Sequence, residues 1–150
     1  TVIGFDVDEE RVKRLAAGES FVEDVSSERL AAALATGRYR ATTDPRQCAG
    51  FDVSVITVPT PLREGLPDLS YIEDAASILS RFTRPGSTVI LESTPYPGTT
   101  AVLVAELLQQ GSGLVAGEDF HLALKQITYA IIINGPRQLC NPFFRRLLVV

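Results

Sequence analysis

The chain has 150 residues, 45% of them hydrophobic and 21% charged, which is enough apolar material for one domain core. A formal net charge of -4 and a pI near 5.0 exclude a surface built to neutralise nucleic-acid phosphates, because such binding takes a clustered basic excess. Two distant cysteines, Cys48 and Cys140, with one histidine, His121, exclude a zinc cluster and a disulfide framework.

The first residues, Thr1-Val2-Ile3-Gly4-Phe5-Asp6, lack the basic region, apolar stretch and cleavage site of a secretory signal. No segment reaches the ~20 apolar residues of a membrane helix. The nearest approach, residues 127–133, is too short. A reducing cytoplasm is therefore expected, with neither membrane nor nucleic acid as partner.

In chain order, residues 2–5 read as a buried strand. Asp8 then caps a helix with Glu9 and Glu10 in its first turn, Lys13 and Arg14 in its last and Gly18 beyond, all in accord with the helix dipole. Ser26 announces a second helix, with Val25 and Leu30 placed as a hydrophobic staple and Gly37 as its stop. Residues 37–43 give a short extended segment. Val53-Ser54-Val55-Ile56-Thr57-Val58 is β-branched and mostly apolar, as a strand covered on both faces should be, and Pro59 ends it.

After a loop, Ser70 and Glu73 have the spacing of a capping box. The helix they would open carries Ile72, Ala75, Ala76, Leu79 and Phe82 at helical spacing up to Pro85-Gly86. Residues 88–91 form the next strand and residues 99–110 the next helix, which Gly111-Ser112-Gly113 stops. Strands alternating with helices in this way predict right-handed crossovers and an α/β fold, a Rossmann-like doubly wound parallel sheet.

Ligands of such sheets bind at the carboxyl ends of the strands. Three places qualify. Asp6 follows the first strand, where a carboxylate can accept hydrogen bonds from ribose hydroxyls; a solvated loop acid or helix cap looks the same, although Asp8 is the better cap. Thr60 lies between Pro59 and Pro61 and can offer its hydroxyl or N–H to a cofactor, or simply belong to a rigid strand exit. Ser93 and Thr94 follow the strand at residues 88–91, and Gly98-Thr99-Thr100 opens a helix whose N–H groups would be free, or caps it in the ordinary way. The 150 residues contain no GxGxxG loop, no Ser-His-Asp set and no Gly-Lys-Ser/Thr phosphate loop.

Taken together, Gly4-Phe5-Asp6-Val7-Asp8, Arg11-Val12, Ala41-Thr42-Thr43-Asp44, Val58-Pro59-Thr60-Pro61-Leu62, Pro67-Asp68-Leu69-Ser70-Tyr71 and the stretch LESTPYPGTT at residues 91–100 carry a resemblance. Over residues 2–123 the chain resembles the NAD-binding N-terminal domain of the UDP-glucose/GDP-mannose dehydrogenase family. Its Pro-Asp-Leu-Ser-Tyr and Leu-Glu-Ser-Thr wording is most similar to members that oxidise UDP-N-acetylhexosamines. The resemblance implies NAD as cofactor and a UDP-sugar as substrate, whose C6 alcohol is oxidised to a carboxylate in two steps through a thiohemiacetal on a cysteine. It implies that Asp6 holds the adenosine ribose, Arg11 lies near the cofactor, Thr60 lines the cleft, Ser93 touches NAD, and Thr94 stands beside the reacting centre.

The chain departs from the family in three ways. The family pattern begins with a strand and a glycine-rich turn ahead of the equivalent of Val2. It continues after residue 123 with a Ser-Pro-Glu motif, where this chain reads Leu124-Lys125-Gln126-Ile127. A helical dimerisation region and a UDP-binding domain, bearing the nucleophilic cysteine and a lysine, follow in the family; Cys140 lacks that cysteine's glycine-rich context. The expectation is a partial NAD-binding domain over residues 1–123 and a divergent tail over 124–150, truncated at both ends and inactive by itself. In the order 3-2-1-4-5-6 the missing first strand is central, which leaves two buried strands without their shared neighbour. The apolar run at residues 127–133 is expected to dock on the sheet, in that vacancy or at an edge.

Overall fold

The computed structural model describes residues 1–92, 99–126, 129–132 and 147–150. Val2–Phe5 forms β1, with Ile3 and Phe5 buried. Helix α1 follows at Glu9–Ala16, where the Asp8 carboxylate accepts from the backbone N–H of Glu10 and Arg11, as its acidic and basic ends predicted. Helix α2, Ser27–Ala35, is capped by Ser26 through the N–H of Arg29. Gly37 then takes φ 64°. Strand β2 is Tyr39–Thr42, and a short 3-10 turn at Pro45–Cys48 leads to β3, Val53–Ile56.

Three local expectations are corrected. Residues 57–68 are no plain loop: Leu62–Arg63 and Leu66–Pro67 pair antiparallel as β4 and β5. The two residues between them, Glu64 at φ 54° and Gly65 at φ 81°, both take the left-handed conformation of a tight hairpin turn. Helix α3, Ser70–Ser80, does not open on a Ser70–Glu73 capping box. Ser70 is already helical, Leu69 is the cap residue without a side-chain bond, and the Asp68 carboxylate accepts from the Ser70 N–H at 3.0 Å instead. The Glu73 N–H that a capping box would use goes to the Leu69 carbonyl, and bonds from the Ser70 hydroxyl and then its N–H hold the Asp68 carboxyl below its ordinary range. Finally, β6 is Thr88–Leu91, but α4 runs through Gly111 to Ser112; Gly113, at φ 73°, is the stop.

Strand β7, His121–Gln126, is followed by β8, Tyr129–Ile132, antiparallel to it at the sheet edge. The edge docking expected of the apolar run is thus seen for Tyr129–Ile132; residues 127, 128 and 133 lie outside the described residues. The central vacancy goes to a segment no pattern singled out. Leu147–Val149 forms β9, parallel to both β1 and β3. The sheet order is β2-β1-β9-β3-β6-β7-β8. Its six parallel strands therefore reproduce the order 3-2-1-4-5-6, with β9 in first-strand position.

The core lies on one face. Ile3, Leu148, Ser54, Val89 and Leu122 form a row across the sheet and are all buried. Ile72, Ala75, Ala76 and Leu79 of α3 and Val104 and Leu108 of α4 cover that face. Cys48 belongs to the same core, and burial pushes its thiol up to about 11. The thiolate is the reactive form, so native protein at neutral pH should resist alkylation at Cys48 and label there only once urea unfolds it, as peptide mass mapping would read. The stabilisation that goes with this shift is fully present below the unfolded thiol's ordinary 9.0 and is lost as pH rises toward about 11. Alkaline stability should fall across that window.

Candidate functional site

Because the six strands run the same way, their carboxyl ends share one edge. Hydrogen bonds between adjacent ends fix the line: Asp6 N–H donates to Thr42, Thr57 N–H to Val150 at 2.7 Å, and Glu92 N–H to Ile56. The Thr57 hydroxyl also donates to the Val150 carbonyl at 3.1 Å. Asp6 and Thr57 flank the end of β9, two strand spacings or about 10 Å apart. That is where the order reverses, the switch point at which doubly wound sheets bind ligands.

Asp6 is one-third exposed. Its Oδ1 accepts from the Asp8 N–H at 2.9 Å, and its Oδ2 lies 3.6 Å from the Arg11 guanidinium, itself 3.5 Å from Asp8. The carboxylate has lone pairs left for two ribose hydroxyls. Sequence reasoning missed the aromatic next to it. The Phe21 ring, 40% exposed, lies 5.9 Å from the Arg11 guanidinium carbon and 5.5 Å from that of Arg14, within cation–π range. Arg11 and Arg14, one turn apart on α1, were the available signal; that Phe21 folds back onto them is tertiary and left no local trace.

Thr60 is half-buried, between exposed Pro59 and Pro61, on the chain leaving β3 toward the β4–β5 hairpin. The structure thus brings Asp6, Arg11 and the Thr57–Pro61 segment to one edge. Ser93 and Thr94 lie outside the described residues. Among the described residues there is no group of three or more metal-ligating side chains, and no helix long and apolar enough to cross a membrane. The donor set suits the adenosine half of a dinucleotide, with a carboxylate for the ribose and an Arg-Phe shelf beside it.

Comparison with known proteins gives the family of the chain. Residues 1–126 match the model of the NAD-binding domain of the UDP-glucose/GDP-mannose dehydrogenase family. A UDP-N-acetyl-D-mannosamine dehydrogenase of Pyrococcus horikoshii is 37% identical over 123 residues, which are 81% of this chain and 29% of that protein. A GDP-mannose 6-dehydrogenase of Pseudomonas syringae pv. tomato is 35% identical over 129 residues, 82% of this chain and 30% of its own. A solved structure of the Pyrococcus horikoshii UDP-D-ManNAc dehydrogenase superposes with a TM-score of 0.77 at 34% identity, over 83% of this chain and 30% of that one. This chain therefore spans under a third of the length of the relatives it matches.

Proposed function

The chain belongs to the UDP-glucose/GDP-mannose dehydrogenase family, and from that premise we propose that it is the NAD-holding part of a nucleotide-sugar dehydrogenase acting on a UDP-N-acetylhexosamine. The observation that carries the reading is the placement of Asp6 and the Thr57–Pro61 segment on either side of the switch point of a sheet in the order 3-2-1-4-5-6. Asp6 accepts from the two hydroxyls of the adenosine ribose, Arg11 and Phe21 flank that end of the cofactor, and Thr60 lines its path across the sheet edge. NAD supplies the hydride acceptor for oxidation of the sugar C6 alcohol. Ser93 is assigned to the cofactor and Thr94 to the reacting centre, on their motif alone.

Residues 1–123 make up the NAD-binding part and 124–150 a divergent tail. By itself this chain does not turn over, since its 150 residues hold no GxGxxG loop and Cys140 lacks the glycine-rich setting of the family nucleophile. That same absence favours a second reading, a nucleotide-binding or interaction module without catalysis. Calorimetric titration with NAD and with UDP-N-acetylhexosamines, and an absorbance assay for NADH, test the cofactor role and the inactivity. Binding of NAD without turnover is the expected result; NADH production would overturn the inactivity, and failure to bind either ligand would overturn the cofactor role.

A further inference from the structure

Asp8 does more than a helix cap needs. A single oxygen suffices for a cap, as Ser26 shows at α2, where its hydroxyl accepts from the Arg29 N–H. Asp8 likewise caps α1 through Oδ1 alone, which accepts from the N–H of Glu10 at 2.9 Å and of Arg11 at 3.1 Å. Its other oxygen, Oδ2, lies 3.5 Å from Nε of Arg11. Asp6 is divided in the same way, with Oδ1 on the Asp8 N–H and Oδ2 3.6 Å from Nη1 of Arg11. The two carboxylates thus face two different nitrogens of one guanidinium, whose central carbon lies 5.9 Å from the Phe21 ring.

A guanidinium can grip a phosphate by two forks, Nε with Nη2 or Nη1 with Nη2. Asp8 stands at the first fork and Asp6 at the second, so each fork of Arg11 includes a nitrogen that faces a carboxylate. Two carboxylates against one guanidinium also leave the group with a net negative charge. Resting on the cofactor role proposed for this edge, we propose that Asp8 is a positioning residue that sets the choice of NAD over NADP, because it occupies the Nε fork of Arg11 that a ribose 2′-phosphate would use. Asp6 opposes such a phosphate by direct repulsion. Asp8 opposes it by denying it a cation, and it does so without touching the cofactor.

Asp8→Asn separates the two duties of the side chain. Its amide oxygen keeps the cap, since Asn caps as well as Asp, while an uncharged donor replaces Oδ2 beside Nε. In the parent chain and in Asp6→Ala, Asp8→Asn should raise the ratio of NADP to NAD affinity by about threefold to fivefold, the range that an exposed ion pair supports. Calorimetric titration with both dinucleotides at low salt reads the ratio. Adding Arg11→Ala should erase the rise, and high salt should shrink it. Asp8→Ser, which keeps only a capping hydroxyl, should behave as Asp8→Asn does. A ratio that moves in neither background, or a rise that survives Arg11→Ala, overturns the proposal and leaves the NAD site standing. Loss of α1 in both Asp8 variants, read by circular dichroism, overturns it too and makes Asp8 a structural cap alone. Failure of the parent and every variant to bind NAD overturns the cofactor role of this edge, and the role of Asp8 with it.

Discussion

Substituting alanine for Gly111 should lower the thermal midpoint by several degrees, although alanine is the better helix former. Gly111 sits inside α4, facing α3. A Cβ placed there would stand 1.9 Å from the Ser80 Oγ and 2.5 Å from the Ser80 Cβ. Turning the hydroxyl aside removes only the first conflict and breaks its bond to the Ser77 carbonyl at 2.8 Å. The second needs the two helix backbones to part, in a core where Ala76, Leu79, Val104 and Leu108 are wholly buried. Overpacking of this kind costs about 1–3 kcal/mol, against a propensity gain of about 1 kcal/mol, so the steric term wins. Near this chain length about 1 kcal/mol moves Tm by about 2–4 °C. Calorimetric melts of Gly111→Ala, Ser80→Gly and the double variant test it: the double variant should regain most of the loss. A single Gly111→Ala that melts higher than the parent would mean that α3 and α4 do not approach so closely.

The same glycine shows where local reading of the sequence stops. Gly111-Ser112-Gly113 looks like a helix end, yet only Gly113 takes a positive φ; Gly111 answers to Ser80, 31 positions earlier, a relation no window along the chain contains. Helix α1 was legible because everything that makes it is local: the Asp8 cap, the acidic first turn and the basic last turn. Ser70 misled because the helix starts one residue earlier than the capping rule placed it: Ser70 is already helical, and the Glu73 N–H it would have capped bonds to the Leu69 carbonyl. The β4–β5 hairpin turns on Glu64-Gly65 without the Asn-Gly or Asp-Gly that usually signals one.

Strand β9 is the extreme case. Three residues, Leu147 to Val149, are too few for either periodicity to register. Their place is decided by what β1 and β3 need, hydrogen-bond partners on their facing edges. Sheet topology could be argued in advance to the point of requiring an occupant there, and the sequence held two apolar candidates. The longer, more β-branched one pairs at the edge with β7, while the shorter one went to the centre. The site followed the same division. Asp6 and Thr60 could be placed at strand ends because strand ends can be located from strands, whereas the contact of Phe21 with Arg11 and Arg14 depends on the chain folding back after Gly18.

The largest functional effect should come from Asp6. In Asp6→Ala the ribose hydroxyls lose a charged acceptor, an interaction worth about 1.5–3 kcal/mol, so affinity for ADP-ribose should fall about tenfold to about a hundredfold. Binding of nicotinamide mononucleotide, which lacks the adenosine, should not change. The helix start is not at risk, since Asp8 supplies the cap bonds to Glu10 and Arg11. Asp6 also acts on Arg11, 3.6 Å away. With the carboxylate present, a 2′-phosphate on the ribose meets a like charge. Without it, the guanidinium loses its Asp6 partner and, although Asp8 remains 3.5 Å off, turns toward the phosphate as a bidentate donor. Asp6→Ala should therefore weaken NAD binding and strengthen NADP binding in the same protein, narrowing their ratio from both sides. Calorimetric titration of parent and variant with both dinucleotides reads it directly. Equal losses for NAD and NADP would place Asp6 outside ribose recognition and make it a structural partner of Arg11 alone.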